Sequence, residues 1–163
     1  MRSAFAMALA AVLLALQGCG FHLQGVTRLP PELSAIYLQV PDPASDLAFQ
    51  LRRSLEASGV TVVDRPDQAT AVLSVPAENY GRRIKSVSAQ NRPTEFEIYY
   101  EAEYRLQADG ETLLPRQEVA RSRIVPYSER DILGKQQEQA MLRDAMAREI
   151  AGVITRRLAD LGQ

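Results

Sequence analysis

The stretch Glu95-Phe96-Glu97-Ile98-Tyr99-Tyr100-Glu101-Ala102-Glu103-Tyr104-Arg105-Leu106-Gln107 alternates without a break. Side chains two residues apart leave the same face of an extended chain. Phe96, Ile98, Tyr100, Ala102, Tyr104 and Leu106 therefore share one face, and Glu95, Glu97, Tyr99, Glu101, Glu103, Arg105 and Gln107 share the other. A long strand with one apolar and one wet face belongs to an antiparallel sheet covered on one side. Asp109-Gly110 follows it as a hairpin turn signal. A return strand is predicted over about Glu111 to Val125. It is less regular: Pro115 cannot donate to a ladder and marks an edge or a bulge, and Leu113-Leu114 falls out of phase.

Upstream, Ile36, Leu38 and Val40 alternate in Ala35-Ile36-Tyr37-Leu38-Gln39-Val40 and predict a strand. Asp42 followed by Pro43 reads as a helix N-cap with proline at the first helical position. Leu47, Leu51 and Leu55 give that helix its apolar stripe, and Gly59 closes it. Val60 to Val63 is a short strand or a lead-in to one, and Asp64 to Gln68, with Pro66, is a turn. Ala69 to Val75 is the second strand, so strand, helix and strand predict a crossover between parallel neighbours. Residues 78–94 show no clear period. After the return strand, Ser128 and Asp131 offer helix-start chemistry. Leu142, Met146, Ile150, Val153 or Ile154, Leu158 and Leu161 form a helical stripe to the end. The order predicts a two-layer α/β sandwich: a four-stranded mixed sheet with two helices packed on one face.

Of the 163 residues, 46% are apolar and 24% charged, which suits one ordinary folded domain. The formal net charge of −1 lacks the basic excess of a nucleic-acid binder, and no nucleic-acid partner is expected. One cysteine, Cys19, excludes an internal disulfide. One histidine, His22, leaves too few ligands for a histidine or cysteine metal site or a catalytic triad. The chain opens Met1-Arg2-Ser3 and runs apolar from Ala4 to Leu16, a secretory signal too short to span a bilayer. It ends Leu16-Gln17-Gly18-Cys19, which resembles the bacterial lipobox. That resemblance implies removal of residues 1–18. Cys19 then becomes the lipidated first residue, carrying a diacylglyceryl group on sulfur and an acyl chain on its amine. Several chains together anchor firmly where one binds marginally. No other cofactor is expected. Gly20 in place of aspartate implies export to the outer membrane, with the protein on its periplasmic side. Residues 19–34, with Gly20, Gly25, Pro30 and Pro31, read as a tether, and residues 35–163 as the single domain.

Cys19-Gly20-Phe21-His22-Leu23-Gln24-Gly25 resembles the mature start of the LptE family, the lipopolysaccharide-assembly lipoproteins. A basic segment before a long Tyr/Glu-rich strand, and Leu133-Gly134-Lys135 opening the last helix, extend the likeness over the mature chain. The resemblance implies a non-enzymatic protein that plugs and helps assemble the LptD β-barrel. It also implies binding of lipopolysaccharide on its way to the outer leaflet of the outer membrane. The competing reading is an auxiliary lipoprotein of an ABC-type lipid-transport system. A hydrolase has little support, because no Gly-x-Ser-x-Gly motif is present.

Arg82, Arg83, Lys85 and Arg92 form a basic segment with no acid between Asn79 and Thr94. Arginine grips phosphate bidentately, so with the family in view these side chains become candidate contacts for the lipopolysaccharide head group. Otherwise they form a solvated loop or meet acidic barrel side chains. Lys135 near a helix start opposes the helix dipole, and the resemblance makes it a further lipopolysaccharide-binding candidate. Arg121 and Arg123 share a strand face turned to barrel or water. Tyr99, on the wetter face, is the better tyrosine for a barrel contact. Glu97, Glu101 and Glu103 read as solvated or interfacial, with no partner for acid–base work.

Overall fold

The computed structural model describes residues 29–127 and 132–162, with side chains of the last helix described from residue 137 onward. The expected signal peptide, Cys19, His22 and the helix-start residues Ser128 and Asp131 lie outside the described residues. The elements are β1 (Ala35–Gln39), α1 (Asp46–Ala57), β2 (Thr61–Val63), β3 (Ala71–Val87), β4 (Pro93–Ala108), β5 (Glu111–Pro126) and α2 (Ile132–Asp160).

The long alternating segment is β4, and its apolar face is the floor of the core. Ile98, Tyr100, Ala102, Tyr104 and Leu106 are buried, and Phe96 at the outer end is half-buried. Leu47, Leu51 and Leu55 of α1 and Met146, Ile150, Ile154 and Leu158 of α2 pack on that floor with Ile36, Leu73 and Val75. Of the two candidates for the helical stripe, Ile154 is the fully buried one. Leu161 lies past the helix end and is exposed, so the expected stripe stops at Leu158. The buried tyrosines keep their hydroxyls satisfied, as burial demands. Tyr104 Oη accepts from Arg157 Nη1 at 2.9 Å, and Tyr100 Oη donates to Glu78. Burial, reinforced by that bond, pushes the Tyr100 phenol well above the ordinary tyrosine range.

The sheet has five strands, ordered β2-β1-β3-β4-β5, rather than four. The extra strand is the doubtful Val60–Val63 segment, of which Thr61–Val63 pairs in parallel with Ala35–Tyr37 at the sheet edge. β1 is also parallel to β3, while β3, β4 and β5 are antiparallel. The helix cap is a second correction. Asp42 Oδ1 accepts from the Ala44 N–H at 2.9 Å, which turns the chain. Ser45 is the N-cap, its Oγ accepting from the Ala48 N–H at 3.1 Å. Gly59 does close α1, in the left-handed region at φ +86°.

The largest difference concerns residues 78–94. The strand read as ending at Val75 runs on to Val87. β4 is 16 residues long, so its outer half offers a ladder partner that keeps a polar segment extended. Pro76 falls at the register shift between Ser74 and Ala77, where the ladder is already interrupted. Pro115 likewise lies at the β5 register shift opposite Tyr104 and Leu106, on an edge strand. The last residues of the expected tether are structured. Pro31–Leu33 forms a single 3-10 turn, and Leu33 is fully buried in the core.

Replacing Ile154 by alanine should cost about 2–5 kcal/mol, while the exposed Ile84→Ala should stay within about 0.5 kcal/mol of the parent. Urea unfolding of both variants checks the pair.

Candidate functional site

Three long strands outrun the helices that cover them. β3, β4 and β5 hold 17, 16 and 16 residues, or about 53–56 Å at about 3.3 Å per residue. α1, with 12 residues, reaches about 18 Å. α2 is longer, but residues 137–141 are all exposed, and its packing begins at Leu142. Among the described residues, the outer half of the sheet (residues 78–87, 93–99 and 121–126), buried Ile98 apart, therefore stands mostly uncovered.

The ladder decides where the basic candidates go. Arg82 is opposite Ile98, and Arg83 is opposite Glu97. Adjacent residues take opposite faces, so the basic segment is divided. Arg82 lies on the helix side, with its guanidinium carbon 5.2 Å from the centre of the Phe96 ring. Arg83 lies on the open side, where its Nε donates to Glu97 Oε2 at 2.8 Å and its guanidinium sits 5.3 Å from the Tyr99 ring centre. Lys85 Nζ approaches the same Glu97 oxygen at 3.9 Å. Arg92 is exposed in the turn, held by Ser88 N–H donating to the Arg92 carbonyl at 2.8 Å and by Asn91 at φ 57°. Lys135 falls in the first turn of α2, where the description is of backbone alone. Among the described residues neither Arg82 nor Arg92 has a carboxylate partner.

Tyr99 is on the open face and its ring covers Gly81. A Cβ built on that glycine would stand 2.5 Å from Tyr99 Oη, so glycine is what lets the ring lie down. Arg121 and Arg123 do not face water alone. Both reach Glu149 of α2, at 3.5 and 2.6 Å. Glu103 is paired with Arg116.

The sequence reading missed the apolar members of this end. Ile84, Val87 and Ile124 are exposed, and Tyr127 packs edge-on against Phe96 with ring centres 5.4 Å apart. Their signal was available only once Tyr80, Arg82 and Ile84 are recognised as one strand face. The outer sheet and its turn thus present two guanidinium groups, Arg82 and Arg92, without a carboxylate partner among the described residues, near exposed aliphatic side chains, which suits an amphiphile or a protein surface.

Midway along the sheet, a cleft of about 320 Å³ is lined by Ser45, Asp46, Glu78, Tyr80, Tyr100 and Arg143 among others. Its polar groups are committed to one another. Ser45 Oγ donates to Glu78 Oε2 at 2.9 Å, Arg143 binds Asp46, and the Arg143 guanidinium sits 5.7 Å from the Tyr80 ring centre. This is a junction between α1, β3, β4 and α2. Among the described residues there is no cluster of His, Cys, Asp or Glu able to hold a metal ion. No helix among them is long and apolar enough to cross a membrane.

The LptE family model, described as lipopolysaccharide-assembly, matches residues 33–158. The chain belongs to the LptE family. It is 31% identical over 148 residues to the LPS-assembly lipoprotein LptE of Yersinia enterocolitica, covering 86% of this chain and 68% of that one. It is 28% identical over 155 residues to the LPS-assembly lipoprotein LptE of Pectobacterium atrosepticum, covering 94% and 84%. A solution structure of lipoprotein B from Nitrosomonas europaea superposes with a TM-score of 0.72 at 27% identity, over 86% of this chain and 90% of that one. Rare lipoprotein B from Shewanella oneidensis shares the fold, with a TM-score of 0.66 at 21% identity over 77% and 94%. The span matched to LptE opens on buried Leu33 and closes on buried Leu158. It therefore takes in every buried apolar residue but Ala159 and the outer hairpin with Arg82, Arg83, Lys85 and Arg92.

The hydrogen bond from Arg83 holds the Glu97 carboxyl below the ordinary carboxylate range. A depressed carboxylate stabilises the fold above its unfolded pKa and loses that contribution as pH falls through the lower folded value. Side-chain NMR titration should place the Glu97 midpoint below that of a free glutamate, and Arg83→Ala should move it upward.

Proposed function

We propose that this LptE-family protein is a lipid-anchored subunit of the lipopolysaccharide translocon on the periplasmic side of the outer membrane. The family match over residues 33–158 carries this reading. Lipidated Cys19 holds the domain at the membrane. The sandwich occupies and helps assemble a large outer-membrane β-barrel of the LptD type. Its part in the process is binding and structure rather than bond-making.

Basic side chains of the outer hairpin meet the phosphates of incoming lipopolysaccharide. The geometry ranks them. Arg83 meets a phosphate with its charge already offset by Glu97, to which its Nε donates, and Lys85 is partly drawn to the same carboxylate. Arg82 and Arg92 give up no ion pair, and Arg82 brings Phe96 and Ile84 beside it as an apolar neighbourhood for the lipid.

A tag after Gln163 and mild-detergent extraction of outer membranes should recover one large β-barrel at equal stoichiometry. Recovery without a barrel would falsify the translocon reading, and an ABC-transport component in its place would favour the auxiliary-lipoprotein alternative. Cys19→Ala should release the protein from the membrane fraction. Arg82→Glu with Arg92→Glu should weaken lipopolysaccharide binding by about tenfold or more, since each lost charge-assisted bond is worth about 1.5–3 kcal/mol. Arg83→Glu should weaken it less, and Lys135→Glu tests the last candidate. Binding of purified variants to lipopolysaccharide, with circular dichroism as the check on folding, reads all of these.

A further inference from the structure

β5 ends the sheet, and its outer edge has no partner strand among the described residues. Such an edge is a template for strand addition. The direction of its backbone groups follows from one bond. The Tyr127 N–H donates to the Thr94 carbonyl at 2.9 Å, in the register that pairs Glu95 with Pro126. Odd-numbered residues from Val119 to Tyr127 therefore bond to β4, and even-numbered ones point their N–H and C=O groups outward. Pro126 fits this parity, because an outward position needs no donor for the ladder.

Two of these outward carbonyls are covered by the strand's own side chains. Arg121 Nη1 donates to the Ala120 carbonyl at 2.8 Å, and Arg123 Nη1 donates to the Ser122 carbonyl at 3.0 Å. Each arginine is held there from behind. Arg123 Nη2 reaches Glu149 Oε1 at 2.6 Å, and Arg121 Nε lies 3.5 Å from Glu149 Oε2. One carboxylate on α2 thus positions two guanidinium groups against the sheet edge. Gln117 Nε2 covers the Arg116 carbonyl in the same manner at 3.2 Å. A neighbouring strand would have to lie about 4.8 Å away, in the space these side chains occupy.

We infer that Glu149, Arg121 and Arg123 form an edge guard, which keeps β5 from pairing with the β5 of a second copy. The copy is the relevant occupant because every chain brings the same long edge, and an antiparallel pairing of identical edges closes on a two-fold axis. The inference does not depend on lipopolysaccharide binding or on a barrel.

The test uses the full chain in detergent and reads mass by light scattering. The parent should be monomeric. R121S with R123S should raise the average mass to about twice that value or beyond, with unchanged circular dichroism. Adding S122P blocks strand addition at an outward position without removing a β4 bond, and should restore the monomer. A double variant that stays monomeric would overturn the guard. So would association that survives S122P, because it would then run through another surface.

Discussion

Register is the constraint from which the rest of this molecule follows. Side chains alternate with a period of two, so a slip of one residue in β4 would drive Glu97, Glu101 and Glu103 under the helices. It would also turn Tyr100, Tyr104 and Leu106 to water. The hairpin turn fixes one end, with Asp109 at φ 51° and Gly110 at φ 80°. The buried hydroxyls fix the middle, because Tyr104 meets Arg157 of α2 and Tyr100 meets Glu78 of β3. Once β4 is fixed, β3 and β5 inherit their parity from it. That inheritance sends Arg82 to Phe96, Arg83 to Glu97, and Arg121 with Arg123 to Glu149.

Fixing the register also divides the strands into a packed half and an open half. The inner half is held by the apolar stripes of two helices on one face. The outer half is held by its ladder and a few side-chain contacts, chiefly the Phe96–Tyr127 ring pair, Arg82 over Phe96, and Tyr99 on Gly81. Residues there are released from packing duty, and exposed Ile84, Val87 and Ile124 can be kept without harm to the core. The proposed phosphate contact gains from this, because a surface built on strands is more rigid than one built on a free loop.

The legible parts of the sequence were those where burial writes a pattern. The β4 faces, the Asp109-Gly110 turn, the Leu47/Leu51/Leu55 stripe and the Met146-to-Leu158 stripe were each visible because one side meets a core. Residues 78–87 were not, since the helices do not cover them and polar side chains occupy both faces. Nothing in Asn79, Gly81, Arg83 and Lys85 reads as a strand until β4 is placed beside them. Thr61–Val63 was ambiguous for a different reason: three residues are too few for any period to show. The helix cap was displaced from Asp42 to Ser45 because both offer a side-chain oxygen to a nearby N–H, and Asp42 uses its own to turn the chain first. Of the site, the basic residue types were legible but their division between faces was not.

That division changes what a basic segment means. In sequence, Arg82, Arg83 and Lys85 make one positive cluster, and Arg121 and Arg123 make another. In the sheet, one glutamate on β4 engages Arg83 and draws Lys85, while one glutamate on α2 engages Arg121 and Arg123. Among the described residues, what remains uncompensated in these two segments and the turn is Arg82 and Arg92, at the end that also exposes aliphatic side chains. Coulomb attraction to a ligand is offset wherever an internal carboxylate must first be displaced. The useful charge is therefore set by which arginines the fold leaves without a partner, and counting basic residues along the chain overstates it.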